Sequence, residues 1–183
     1  MERNLMKKKI RKTKVGIIGC GMISDTYFNA AKKFNMIEVV ACSDIIPERS
    51  QKKTELHGVP SMTNEELLAM PEIEIVLNLT PPQVHSKIAM DTLNAGKHAY
   101  SEKPFGVDEA DAAKVMALAK KKGLRVGCAP DTFLGGGIQT CRKLLDDGWI
   151  GKPISATAMV LGRGPEKWGQ APFFYDYGAG PML

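Results

Sequence analysis

The sequence from Val15 to Ser24 reads V-G-I-I-G-C-G-M-I-S, and it indicates how the first part of the chain folds. The apolar run at 15–19 has the length and the β-branched content of a buried strand. Two glycines interrupt the run, and residues 22–34 then follow a helical pattern. This stretch therefore predicts a strand, a tight turn at Gly19 and Gly21, and a helix that begins at the turn.

The predicted turn has the features of an anion site. Gly19 permits a tight turn, and Gly21 has no side chain to keep a pyrophosphate away from the backbone. The N-terminus of the helix presents N–H groups to the same anion. Ser24 replaces the third glycine of the dinucleotide-binding pattern, and its small side chain still permits close packing of helix on strand.

An acidic residue at a fixed distance strengthens this interpretation. Asp44 follows the second predicted strand, 25 residues after Gly19. Its carboxylate is expected to accept both hydroxyls of an adenosine ribose and to repel a 2′-phosphate, which favours NAD over NADP. The alternative is a glycine turn without a ligand and an aspartate that only caps a helix.

Five short runs rich in valine and isoleucine alternate with longer helical patterns. The predicted strands are 15–19, 37–43, 73–79, 98–102 and 125–129, and the predicted helices are 22–34, 47–57, 64–70, 82–95, 108–122 and 138–147. Because most of these strands are apolar without alternation, both faces of the sheet should be covered. The pattern predicts an α/β fold with a doubly wound parallel sheet.

The helix at 108–122 carries clear boundary signals. Asp108 is the predicted N-cap, and Gly123 is the predicted left-handed residue at the C-terminal end. The spacing predicts one buried stripe along this helix, made of Ala112, Val115, Met116 and Ala119.

Two further turns follow predicted strands. Thr80 and Pro81 come after the run at 73–79, and His85 lies one turn into the next helix. Ligands of such sheets bind at the carboxyl ends of the strands, so this turn should lie beside a bound cofactor. The alternative is a capped helix start with a partly exposed histidine.

The sequence Ser101-Glu102-Lys103-Pro104 ends the fourth predicted strand. A lysine at this edge would face the reacting end of a nicotinamide and would stabilise alkoxide charge on a substrate oxygen. Pro104 restricts the backbone of Lys103 to an extended geometry. Without further context, such a lysine is more often a solvated surface residue.

Taken together, the three motifs resemble those of the Gfo/Idh/MocA oxidoreductases. They are Gly19-Cys20-Gly21 with Ser24, Thr80-Pro81 with His85, and Glu102-Lys103-Pro104. The resemblance implies hydride transfer between NAD(P) and a sugar, an inositol or a related polyol, with Lys103 as the catalytic lysine. It also implies the cofactor-binding residues, namely Gly19, Gly21, Met22, Ile23, Asp44, Thr80, Pro81, His85 and Glu102.

The resemblance also implies a domain organisation. Residues 1–12 would be a basic tail, 13–130 a Rossmann domain, and 131–183 the incomplete start of an α+β substrate domain, with a weak strand pattern at 152–161. The chain is expected to be a truncated form that binds dinucleotide but lacks the family's proton-transferring residue. The aromatics of the last segment, such as Trp168, would then be exposed or buried by a second copy, which predicts a homo-oligomer.

The charge distribution argues against a nucleic-acid partner. Residues 1–14 carry seven basic residues and one acid, a net charge of +6, whereas the other 169 carry 18 basic and 19 acidic residues, a net charge of −1. The chain body is therefore nearly neutral, and the tail has no aromatic residue for base stacking. A nucleic-acid arm at 1–14 remains the less favoured interpretation of the tail.

Composition and spacing argue against several other classes of protein. No apolar run approaches the length of a membrane span, and the first fourteen residues lack the apolar core of a secretory signal. The three histidines are not at metal-ligand spacing, and the four cysteines show no C-x-x-C pair. Buried free thiols, no metal and a cytoplasmic location are expected.

Two functions are therefore predicted from the sequence. The first is an NAD(P)-dependent dehydrogenase of a sugar, inositol or polyol, of which this chain holds the cofactor-binding half. The alternative is a non-catalytic NAD-binding sensor or dimerisation module that kept the fold and lost the chemistry.

Overall fold

Five parallel strands form the centre of the molecule. In the computed structural model, which describes residues 11–130 and 132–159, they are β1 (Thr13–Ile18), β2 (Ile37–Ser43), β3 (Ile75–Asn78), β4 (His98–Ser101) and β5 (Val126–Cys128). The helices are α1 (Ser24–Ala31), α2 (Pro47–His57), α3 (Asn64–Ala69), α4 (His85–Asn94), α5 (Glu109–Lys122) and α6 (Gly136–Asp146).

The strand order is β2-β1-β3-β4-β5, and every pairing is parallel. Ser61, which lies outside the five strands, forms an isolated parallel bridge with Cys42 of β2. The order reverses between β1 and β3, because the chain first moves outward to β2 and then returns to the other side of β1. A dinucleotide binds at such a switch point, outside the carboxyl ends of the strands.

Helices cover both faces of the sheet. Ile17 and Ile18 are neighbours in β1, so their side chains point to opposite faces, and both are buried. Ile17 packs with Phe28 of α1, whereas Ile18 packs with Leu67 of α3 and Ile88 of α4. The predicted doubly wound α/β sheet is therefore confirmed.

The boundary signals of α5 are confirmed, and its buried stripe is partly wrong. The Asp108 carboxylate accepts the Asp111 N–H at 3.1 Å, and Gly123 has φ +64°. Val115 is buried as expected, but Met116 is 56% exposed. Ala119 is buried and Leu118 packs against the core, so the face of α5 that meets the core includes Leu118 and leaves out Met116.

Two predicted helices are shorter in the structure. The helix expected at 22–34 spans only Ser24–Ala31, because Met22 and Ile23 belong to the turn. The helix expected at 82–95 begins with a 3₁₀ turn at Pro82–Val84, and α4 starts at His85. Val84 has φ −112° and ψ 3°, which is outside the α region and separates the two helices.

The described part of the segment after 131 packs against little else. Every described residue from 133 to 159 is exposed, including apolar side chains such as Trp149 and Ile154. The strand predicted at 152–161 is wrong for residues 152–159, which form no strand and pair with no other strand. The rest of that pattern, the aromatic stretch at 162–183 with Trp168, and residues 1–10 of the tail lie outside the described residues.

A membrane-spanning helix, a metal-ligand cluster and a disulfide are all lacking among the described residues. None of the described helices has the length and apolar surface that a membrane crossing requires. The described side chains form no cluster of three or more potential metal ligands. All four cysteines are free thiols, with Cys20 and Cys42 buried, Cys128 half-buried and Cys141 exposed.

Candidate cofactor site at the carboxyl edge of the sheet

The glycine turn after β1 is pressed against the end of β3. Gly19 has φ +101°, and a Cβ atom there would lie 2.6 Å from the backbone carbonyl carbon and oxygen of Leu79. Only glycine fits this conformation and this contact. The Ser24 side chain is also buried, and its hydroxyl donates to the Gly21 carbonyl at 2.6 Å. The small residues at 19 and 24 thus let the turn lie close to the sheet.

The outer side of the turn is open. A Cβ atom at Gly21 would meet no atom within 4 Å. Within the described chain, the N–H groups of Gly21, Met22 and Ile23 have no protein acceptor, and they lie at the N-terminus of α1. Unpaired amides at a helix N-terminus next to open space fit an anion, and a pyrophosphate fits this donor set.

Asp44 is joined directly to this turn. Its Oδ2 atom accepts the Cys20 N–H at 2.7 Å, and its Oδ1 atom accepts the Ile46 N–H at 2.9 Å. Asp44 is half-buried, and each carboxylate oxygen can accept a second hydrogen bond. The structure therefore brings together the glycine turn and the acid that the sequence analysis placed in one site.

The thiol of Cys20, inside the turn, adds no charge to the site. A hydrogen bond with Cys42 and burial raise the pKa of the Cys20 thiol well above its ordinary value. The thiol therefore stays protonated at neutral pH. A thiolate here would repel an anion on the neighbouring amides, so its absence keeps the turn suitable for phosphate.

Asn78 organises the turn after β3. It is fully buried, its Oδ1 atom accepts the Thr80 hydroxyl at 2.6 Å, and its Nδ2 atom donates to the Ser101 hydroxyl at 3.2 Å. Thr80 and Pro81 thus lie at the carboxyl edge, where they were predicted. Asn78 was not predicted as a site residue, although a polar amide ending an apolar strand is a signal that sequence alone provides.

His85 lies beneath this edge and not on its surface. Its side chain is fully buried, and its ring nitrogens contact the carbonyl oxygens of Thr80 and Pro104. Any effect of His85 on a cofactor would therefore pass through these two turns. The alternative of a partly exposed histidine is wrong.

Glu102 and Lys103 follow β4 at the same edge. The Glu102 carboxylate accepts the Tyr27 hydroxyl at 2.6 Å through Oε1 and the Lys103 N–H at 3.0 Å through Oε2. Lys103 is exposed, and the Lys103–Pro104 peptide bond is cis. Tyr27 connects α1 to the lysine turn, and sequence analysis missed it because nothing in the spacing of α1 distinguishes it from a packing residue.

The family comparison covers this whole region. A sequence model described as "Oxidoreductase family, NAD-binding Rossmann fold", the Gfo/Idh/MocA family, matches residues 13–129. The chain belongs to the Gfo/Idh/MocA oxidoreductase family. The resemblance that the three motifs carried is thereby confirmed.

Curated relatives of this Gfo/Idh/MocA chain include inositol dehydrogenases. It is 34% identical over 153 residues to an inositol 2-dehydrogenase/D-chiro-inositol 3-dehydrogenase of Lactiplantibacillus plantarum, covering 78% of this chain and 42% of the relative. It is 31% identical over 155 residues to an inositol 2-dehydrogenase of Salmonella typhimurium, covering 82% and 45%. The chain therefore spans less than half the length of these relatives.

Solved structures of similar proteins contain either nicotinamide cofactor. The WlbA dehydrogenase of Bordetella pertussis, in complex with NADH and UDP-GlcNAcA, has a TM-score of 0.73 at 25% identity, covering 78% of this chain and 42% of that one. The 3-ketoreductase KijD10 of Actinomadura kijaniata, in complex with NADP and TDP-benzene, has a TM-score of 0.69 at 27% identity, covering 75% and 43%. The family thus supports a nicotinamide cofactor without selecting between NAD and NADP.

Proposed function

We propose that this chain is the cofactor-binding part of an NAD-dependent dehydrogenase that acts on a sugar, an inositol or a related polyol. The observation that carries the proposal is the 2.7 Å hydrogen bond from the Cys20 N–H to Asp44 Oδ2. It places an acid beside a turn that offers three unpaired amides. An anion site next to a ribose-binding carboxylate is the arrangement that a dinucleotide requires.

The strand order indicates where each half of the dinucleotide would lie. The pyrophosphate would bind at Gly19, Gly21, Met22 and Ile23, with the adenosine on the β2 side, where Asp44 lies. The other half then extends toward β3 and β4. There it meets Thr80 and Pro81 after β3 and Glu102 and Lys103 after β4, while His85 acts from beneath.

The charge at the end of β2 favours NAD over NADP. Asp44 would accept ribose hydroxyls, and its negative charge would repel a 2′-phosphate. The residue that follows is Ile45, which is 93% exposed and offers no positive charge in the place where an NADP enzyme often has an arginine.

Lys103 is the proposed catalytic residue. The nicotinamide, when bound, supplies the hydride acceptor or donor. The ammonium of Lys103 would bind the oxygen of the reacting carbon and stabilise negative charge on it. The Glu102 carboxylate accepts the Lys103 N–H at 3.0 Å and so holds the backbone at the start of this turn.

The inositol dehydrogenases among the relatives support a polyol as substrate. We also propose that residues 13–130 are the cofactor domain, that 131–183 begin the substrate domain, and that the protein is a cytoplasmic homo-oligomer. The exposed apolar side chains of α6 and of the described residues after it support the last point.

Calorimetric titration with NADH and NADPH tests the cofactor assignment. The wild-type chain should bind NADH at least about tenfold more tightly than NADPH. Asp44→Ala should weaken NADH binding about 10- to 100-fold, since a hydrogen bond to a charged group contributes about 1.5–3 kcal/mol.

Asp44→Asn is the matched control, because its amide oxygen can still accept the Cys20 N–H while the charge is lost. This variant should keep the turn intact and reduce the preference for NADH over NADPH. Equal binding of NADH and NADPH by the wild type would contradict the assignment to NAD. Binding of neither would contradict the proposed function.

A further inference from the structure

His85 contacts two carbonyl oxygens with its two ring nitrogens. Nδ1 lies 2.6 Å from the Pro104 oxygen, and Nε2 lies 2.8 Å from the Thr80 oxygen. A carbonyl oxygen only accepts, so each nitrogen must carry a proton to form its bond. A neutral imidazole has one N–H and would direct a lone pair at the other oxygen.

We propose that His85 is a buried imidazolium that positions the Thr80 turn and the Lys103–Pro104 turn relative to each other. It would thereby hold the half of the cofactor site that faces the nicotinamide. This inference rests on the proposed function. His85 is a positioning residue in this account, because its side chain is fully buried and acts through the two turns.

The surrounding contacts make the arrangement rigid. The backbone oxygen of His85 accepts from Asn78 Nδ2 at 3.0 Å, and Asn78 in turn accepts the Thr80 hydroxyl. The Glu102 N–H donates to the Asn78 carbonyl at 2.9 Å. The ends of β3 and β4 and the start of α4 are thus held by two buried side chains, of which His85 alone reaches Pro104.

Few ionisable groups lie on the elements that His85 joins. Glu102 and Lys103 are on the Pro104 turn, and the Thr80 turn has none. On α4, Lys87 pairs with Asp91 at the surface, and on α5, which packs on α4, Lys114 pairs with Asp111. Glu102 carries the negative charge on these turns, and its carboxylate accepts the Tyr27 hydroxyl and the Lys103 N–H.

The charge of His85 is measured by ¹⁵N NMR of the imidazole rings in the wild-type chain. Both ring nitrogens of His85 should show the chemical shifts of protonated nitrogen at pH 7. His98 is an internal control, because its Nδ1 atom accepts the Arg125 N–H at 3.0 Å and must carry a lone pair in that bond. One unprotonated nitrogen in His85 at pH 7 would overturn the proposal, whether or not a variant folds.

The positioning role is measured by comparing two ligands. The glutamine side chain of His85→Gln cannot reach both carbonyls, so the two turns are no longer held together. NADH binding should weaken at least about tenfold, which corresponds to about 1.4 kcal/mol. Binding of ADP-ribose, which lacks the nicotinamide, should stay within about twofold of wild type. His98→Gln makes the same substitution at the other end of β4 and should change neither affinity.

The outcomes separate the two claims. If the wild type binds neither NADH nor ADP-ribose, the proposed function fails, and the NMR result alone decides the charge of His85. If the wild type binds both and His85→Gln weakens both equally, or weakens neither, the positioning role is wrong.

Discussion

Gly19→Ala is expected to destabilise the domain by about 3 kcal/mol or more, because two costs add. A left-handed backbone costs an alanine about 1–2 kcal/mol, and the new Cβ atom must displace packed atoms, which costs about 1–3 kcal/mol. The atoms in question belong to the backbone of Leu79 and Thr80, at 2.6 and 2.8 Å, and cannot rotate away. Urea denaturation followed by circular dichroism measures the loss.

Gly123→Ala is the matched control for this prediction. Gly123 also has a positive φ, +64°, but a Cβ atom there meets nothing within 4 Å. Gly123→Ala should lower the free energy of unfolding by about 1–2 kcal/mol, which is the cost of the left-handed backbone alone. Equal destabilisation by both substitutions would show that the contact between the glycine turn and the end of β3 is looser than the structure indicates.

Gly21→Val should leave the fold intact and reduce NADH affinity by about 100-fold or more. The backbone of Gly21 has no positive φ, and the added side chain meets no protein atom within 4 Å. It would instead occupy the space in front of the unpaired amides and exclude a pyrophosphate. A 100-fold change corresponds to about 2.7 kcal/mol of binding free energy.

Gly137→Val is the control, since Gly137 also has open space at its Cβ position and lies in α6, apart from the turn. It should bind NADH like the wild type in the same calorimetric titration. If Gly21→Val folds and binds NADH with unchanged affinity, the pyrophosphate does not lie on this turn.

Local signals in the sequence were enough to predict most of the fold. The β1 strand and its glycine turn follow from a short apolar run and the conformational freedom of glycine, and the ends of α5 follow from Asp108 and Gly123. Met116 was misplaced because several stripes of α5 have nearly equal apolar content. Which stripe is buried depends on how α5 packs on α4, and periodicity does not contain that information.

In the site, too, some contacts follow from local sequence signals and others only from tertiary packing. The proximity of Asp44 to the glycine turn was predictable, because β1 and β2 are parallel neighbours and their carboxyl ends meet at one edge. The bond between Tyr27 and Glu102 joins residues 75 positions apart, on a helix and a strand end. The two contacts of His85 depend likewise on where two turns meet in space. Such contacts follow from tertiary geometry, so sequence reasoning could name His85 but not its burial.

The central claim is that the turn after β1 binds the pyrophosphate of a nicotinamide dinucleotide beside Asp44. The most direct test is to titrate the ¹⁵N-labelled chain with NADH and to follow each backbone amide by NMR. The largest shift changes should occur at Gly21, Met22 and Ile23, with a second group at Asp44 and Ile45. Saturable binding that leaves these amides unchanged, or no binding at millimolar NADH, would contradict the claim.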